Sequence, residues 1–219
     1  MNRAPAGGRR RQVDRGRQVP VFLVACEGPT EAQYLSALSR LLRGKAVIRP
    51  TSGSSDPQSV VSLAVRERKA YQRRSIEKKD PHDMPDGVWA LMDVDVHAHL
   101  EEAVKSAERQ GIGSAVSCPC FEVWLILHAQ YVDRYFDDAQ AVKRYWSSLP
   151  ESQRAVDGLL DLVDEAIERS TRLGAKYDRH TSYKDRNPST EVGQMVLLIL
   201  QAAKLDQHHV AQRSGATRR

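Results

Sequence analysis

Three acidic residues of this 219-residue chain stand where apolar runs end, in a pattern that suits divalent-metal chemistry. Glu27 closes the stretch opened by Val19–Ala25, and Asp93 and Asp95 follow Val88-Trp89-Ala90-Leu91-Met92. If both runs are strands of an open parallel sheet, the acids lie at carboxyl ends, where ligands collect in such sheets. Alternation along an extended backbone sends Asp93 and Asp95 to one side and Val94 to the other. Were the strands neighbours, three carboxylates would converge and repel one another unless a cation joined them. Mg²⁺ or Mn²⁺ suits that place: Mg²⁺ prefers oxygen ligands and leaves positions for water and phosphate oxygens. An ion so held polarises a phosphoryl oxygen and steadies the charge of a displacement. Gly28, directly after Glu27, leaves backbone amides open to a phosphate. The structural alternative is that Asp populates turns freely and that Asp95 simply caps the next helix.

Other residues can be weighed in the same way. Glu31, on the first turn after Glu27, either reaches the metal site or is held there by the helix dipole, which is the commoner case. Glu122 lies in an otherwise apolar helix, where a carboxylate is costly unless paired or metal-linked. It either accepts hydrogen bonds from the Ser117–Pro119 loop or acts in catalysis. His97 and His99 diverge by about 200° on a helix and cannot share one ion. His128 lies off the face of Glu122 and reads as a core histidine. Cys118-Pro119-Cys120 with distant Cys26 is poor zinc spacing, and buried thiols are the simpler reading.

Elements to position these groups can be read from the periodicity. Val19–Ala25, Ala46–Ile48, Val88–Met92 and Gly113–Ser117 have buried-strand length and composition. Between them lie helices: one from Thr30, with Thr30 and Gln33 as a capping box, to Gly44; one from Asp56-Pro57 to about Ser75; one from His97 to Gln110. Phe121–His128 is a nearly all-apolar helix. This alternation predicts an α/β domain over 19–131, with a mostly parallel four-stranded sheet covered on both faces. No strand is evident after Tyr131. Helical stretches near 137–148, 153–172 and 189–203 predict an extension over 132–206, its last helix capped by Asn187 with Pro188 at the first position.

Residues 1–18 hold six arginines against Asp14, which accounts for the whole formal charge of +5. The remaining 201 residues carry 27 charges of each sign. Composition predicts disordered tails at 1–18 and 207–219. Two local basic clusters stand out. Arg66, Arg68, Lys69, Arg73, Arg74, Lys78 and Lys79 crowd the second helix. Arg169, Arg172, Lys176, Arg179, His180, Lys184 and Arg186 surround Tyr177 and Tyr183, a pattern suited to phosphate contact and base stacking. Lys184 or Arg186 is a candidate contact to the reacting phosphate. No apolar run reaches the length of a membrane span, no apolar stretch follows the basic start, and three cysteines are too few for a disulfide scaffold. A cytoplasmic protein without membrane contact is expected.

Leu23-Val24-Ala25-Cys26-Glu27-Gly28-Pro29-Thr30-Glu31, Met92-Asp93-Val94-Asp95, Pro119-Cys120-Phe121-Glu122-Val123-Trp124-Leu125-Ile126-Leu127-His128 and Asn187-Pro188-Ser189-Thr190 together resemble RloB-like proteins. That family belongs to the wider TOPRIM fold of topoisomerases, primases and overcoming-lysogenization-defect nucleases. Cys118 stands where the family usually has Asn. The resemblance implies a TOPRIM-like (Rossmann-like) fold and an Mg²⁺ or Mn²⁺ site at Glu27, Asp93 and Asp95. It further implies phosphodiester hydrolysis of DNA or RNA; the residue reading adds Glu122 and Lys184 as catalytic candidates and Gly28 and Glu31 as candidates beside the ion. Family members often accompany restriction or phage-defence genes, sometimes with an ATPase partner. The chain has no phosphate-binding Gly-x-x-x-x-Gly-Lys-Ser/Thr loop of its own, so ATP hydrolysis would come from that partner. The rival class is a non-catalytic, toxin-like nucleic-acid-binding subunit under ATPase control. A phosphatase with Asp93 as nucleophile is disfavoured, because His97 stands where such enzymes carry Thr or Val. The residues leave open whether the chain acts as a homodimer.

Overall fold

The computed structural model describes residues 19–53, 56–78, 84–94 and 99–203. The tails expected at 1–18 and 207–219, and the stretch 95–98 with Asp95 and His97, lie outside them.

The apolar run near the start forms β1 (Val21–Cys26), buried from Phe22 onward. Gly28 and Pro29 then start helix α1 (Pro29–Leu41), with Gly28 as the N-cap in extended conformation. The expected Thr30/Gln33 capping box does not form. Pro29 takes the first helical position, where its missing N–H costs nothing, so the helix begins two residues early and Glu31 becomes its third residue. β2 (Val47–Ser52) extends through residues expected as loop. Asp56 caps α2 (Pro57–Lys78), its Oδ1 accepting from the Ser59 amide at 3.1 Å. Next come β3 (Gly87–Asp93), α3 (Leu100–Arg109), β4 (Gly113–Cys118) and α4 (Glu122–Ala129). Helix α3 starts later than expected, with His99 as N-cap, its ring 3.4 Å from the Glu102 carboxylate.

The sheet order is β2-β1-β3-β4, all parallel, with a fifth strand beyond β4. The chain winds one way from β1 to β2 and the other way from β2 onward. Right-handed crossovers therefore put α1 on one face and α2 and α3 on the other. Alternation along β1 shows it directly. Phe22, Val24 and Cys26 join the core with α1 and α4, whereas Leu23 and Ala25 join the core with α2 and α3.

After α4 the chain forms α5 (Ala139–Ser148), two short helical turns α6 (Glu151–Arg154) and α7 (Val156–Leu160), and α8 (Val163–Gly174). The helix expected over 153–172 is thus broken into pieces. The last helix is also corrected. Ser189–Thr190 is β5, pairing antiparallel with Ser117 and Cys118 of β4, and α9 runs Val192–Ala202 with Glu191 at its N-cap. Asn187 is not a cap: its Oδ1 accepts from the Phe136 amide and its Nδ2 donates to the Phe136 carbonyl. Helices α8 and α9 share the larger core with α4, around Trp124, Leu173 and Met195. Gly193 allows that packing, since a Cβ there would lie 2.0 Å from Ser170 Oγ.

Candidate active site

The winding reverses between β1 and β3, and a crevice opens at such a point beyond the carboxyl ends. Glu27 and Asp93 stand there. The Asp93 amide donates to Glu27 Oε1 at 3.1 Å, which fixes the two acids side by side although 66 positions separate them. Burial holds the Asp93 carboxyl well above the usual range, and the charges of Glu27 and Glu31 add to it. The Phe121 backbone amide, at the start of α4, donates to Asp93 and opposes the rise.

Glu31 is buried, and its Oε2 lies 3.1 Å from where a Cβ on Gly28 would be. A larger residue at 28 would crowd that carboxylate. Burial raises the Glu31 pKa most, the Gly28 and Glu31 amides counter it, and Glu122 raises it further. Glu31 is therefore both a helix-start acid, as the dipole reading expects, and a member of the acidic group. Glu122 is half-buried at the first residue of α4, and it interacts with Glu31, Asp93 and the Cys120 thiol. The loop amide that meets this group is that of Phe121, and it binds Asp93. Asp95 lies outside the described residues, and among those described no three His, Cys, Asp or Glu side chains form a ready-made metal cage.

One member was invisible to motif reasoning. Cys120 Sγ contacts the Ala139 carbonyl at 3.8 Å, which sets the start of α5 against the start of α4. Lys143 lies one turn along α5 on the same side. Its ammonium interacts with Glu122, Cys120, Asp93 and Glu31, which raise its pKa although burial pulls it down. Nothing in the local sequence Ala141-Val142-Lys143-Arg144 marks it. Only the fold brings it to the acids.

The cysteines are free and buried. Burial, reinforced by nearby acids, pushes Cys26 and Cys118 up to about 12 and raises Cys120 as well. That is opposite to what a thiolate ligand or nucleophile needs.

Most of the second basic cluster serves the protein itself. Arg169 donates to the Leu127 and His128 carbonyls at the end of α4 (2.7 and 2.6 Å). Arg172 stacks on Tyr131, and Lys176 pairs with Asp133 at 3.0 Å. Arg186 binds the Thr181 carbonyl at 2.8 Å, pairs with Glu191 at 3.5 Å and lies over the Tyr183 ring. Arg186, a candidate for a substrate phosphate, is thus engaged within the chain. Lys184 is exposed and, with Lys105, Glu101, Glu102, Asp137 and Asp138, lines a groove of about 720 Å³ just beyond the ends of β3 and β4. On α2, Arg68 donates to the Gln110 carbonyl, while Arg66, Lys69 and Arg73 remain on a surface hollow.

The architecture defines an α/β protein with a Rossmann-like, mostly parallel sheet and acids gathered at its switch point. Residues 22–199 match the model of the RloB-like protein family, and the chain belongs to that family. No curated protein and no solved structure gave a match. Among the described residues, no helix is long and apolar enough to cross a membrane.

Proposed function

We propose that this protein is a divalent-metal-dependent nuclease of the TOPRIM type, hydrolysing phosphodiester bonds of DNA or RNA in a phage-defence or restriction-linked setting. The observation that carries the reading is the 3.1 Å bond joining Asp93 and Glu27 at the switch point. Donor chemistry fits a hard cation: oxygen donors predominate, and burial and mutual repulsion raise Asp93 and Glu31, a cost that a cation would relieve. Mg²⁺ commonly takes only one or two carboxylates directly, so Glu27 and Asp93, joined by Asp95, are a sufficient set. Such an ion would polarise the phosphoryl oxygen and stabilise charge developing in the displacement.

The chain's own residues do the rest. The Phe121 amide and the Glu27–Asp93 bond fix Asp93 in place. Gly28 keeps the turn after β1 free of a side chain, and Glu31 and Glu122 close the acid group from α1 and α4. Lys184 stands at the adjoining groove, where an extended strand could pass.

The test is incubation of purified protein with plasmid DNA, single-stranded DNA and tRNA, in Mg²⁺, Mn²⁺ or EDTA. Metal-dependent cleavage abolished by Asp93→Ala and by Glu27→Gln is expected. Full cleavage by Asp93→Ala would overturn the site.

A further inference from the structure

A phosphodiester approaching this acidic group meets strong repulsion unless a cation beyond the metal receives it. Several nearby basic side chains are already committed. Arg169 caps α4, Lys176 pairs with Asp133, and Arg186 holds the loop before β5. Lys184 is exposed on a groove that also carries Glu101, Glu102, Asp137 and Asp138, whereas Glu27, Asp93, Glu31 and Glu122 do not line it. Lys143 differs in both respects. The Cys120–Ala139 contact seats the start of α5 on the start of α4, and Lys143 follows Ala139 by four residues, so its stem rises over the same end of the site. The side chain is exposed, and among the described residues it forms no ion pair within 4 Å. It stands near enough to feel Glu122, Asp93 and Glu31, yet is not locked to any one of them.

We infer that Lys143 is a residue that receives the substrate's phosphate at the acid group. The inference rests on the metal-site reading above. Once a divalent ion neutralises the carboxylates, their hold on the ammonium weakens. With an ion held by Glu27 and Asp93, a phosphate oxygen would gain from the ion's charge and from the Lys143 ammonium together. A lysine acting as a point charge on a flexible stem suits that task, and its three donors leave the phosphate free to turn.

The experiment compares wild type with Lys143→Met, Lys143→Arg and Arg144→Met. Mn²⁺ affinity is measured by calorimetry, then the Mn²⁺-dependent binding of 5′-phosphorylated dithymidylate, then cleavage. Lys143→Met should keep Mn²⁺ affinity equal to wild type or tighter, because a like charge is removed. It should lose nucleotide affinity by about tenfold, as expected for a lost charged hydrogen bond. In cleavage it should lose roughly a hundredfold in kcat. Lys143→Arg should recover most of the binding, and Arg144→Met, at the exposed neighbouring residue of the same helix, should change kcat little. Unchanged nucleotide binding by Lys143→Met overturns the inference, as does loss of Mn²⁺ binding in that variant, which would make Lys143 a structural counter-ion. If wild type binds Mn²⁺ and nucleotide through Lys143 but cleaves no substrate, the inference stands and the nuclease reading falls. If wild type binds no Mn²⁺, both fall.

Discussion

Asn187 brackets the backbone of Phe136, accepting from its amide at 3.2 Å and donating to its carbonyl at 2.7 Å. This pair of hydrogen bonds ties the segment before β5 to the loop between α4 and α5, so the late Asn-Pro-Ser-Thr stretch organises the site's surroundings. Asn187→Ala leaves both Phe136 groups without that partner. It should cost about 1–3 kcal/mol of stability, read as a lower urea midpoint with unchanged slope. A midpoint equal to wild type would show that water replaces the amide without loss.

Asp93 and Glu31 both bind their protons more tightly in the folded chain than a free carboxyl would. The sign follows directly. Their contribution to stability is full below the ordinary carboxylate range and is lost as pH rises through the raised folded values. In EDTA, wild type should therefore lose stability relative to Asp93→Asn as pH rises from roughly 4 upward. Mn²⁺ should remove the difference. Thermal melts of both proteins across that range check it, and parallel pH profiles in EDTA would contradict it.

His128 is fully buried, with Nδ1 2.9 Å from the Trp124 carbonyl and Nε2 3.2 Å from Tyr34 Oη. The carbonyl can only accept, so Nδ1 carries the proton and Nε2 accepts from the tyrosine. Burial lowers the His128 pKa from 6.5 to about 4. Its unfolded form takes up a proton first, so stability should fall as pH drops from about 6.5 to about 4, by up to about 3 kcal/mol. Tyr34→Phe strands the Nε2 acceptor and should cost about 1–3 kcal/mol at neutral pH. Acid unfolding followed by tryptophan fluorescence measures both effects.

Arg186 and Lys184, two residues apart, should separate cleanly. Arg186→Ala removes the contacts to Thr181, Glu191 and Tyr183 and should lower stability by about 1–3 kcal/mol. Lys184→Ala, on an exposed side chain, should stay within about 0.5 kcal/mol of wild type. Matching losses in denaturant titration would refute the division of roles.

Gly193 lies under Ser170, and a methyl group there would meet Ser170 Oγ at 2.0 Å. Gly193→Ala should destabilise by about 1–3 kcal/mol through overpacking, and Ser170→Gly on that background should restore part of it. Failure of the second change to restore any stability would place the strain elsewhere, against Trp124.

Much of the α/β frame was legible because buried parallel strands announce themselves as short apolar runs. Glu27 and Asp93 were legible because strand ends are where such sheets bind. The capping box at Thr30 and Gln33 misled because Pro29 and Gly28 outcompete it for the helix start. β5 escaped because two residues have no periodicity, and its pairing is set by Ser117 and Cys118, over seventy positions away. Lys143 escaped for a related reason, since a cation on an exposed helix face looks ordinary until the Cys120–Ala139 contact carries that face to the acids. Arg186 misled in the opposite sense. A basic cluster in sequence resembles a binding track, but Arg169, Lys176 and Arg186 answer carbonyls and carboxylates of their own chain.

The pairing of β4 with Ser189–Thr190 has a consequence for how the molecule is made. During synthesis the strand that borders the acid group leaves the ribosome with one flank bare, and its partner follows only after more than seventy further residues. Until then the nascent sheet presents an open edge. A fragment ending near residue 131 would keep that edge permanently, together with α4 stripped of α8 and α9. The sequence boundary between a strand-bearing half and a helical half is therefore no place to cut the gene. A soluble, cooperatively folded product is expected only from a reading frame that runs past α9.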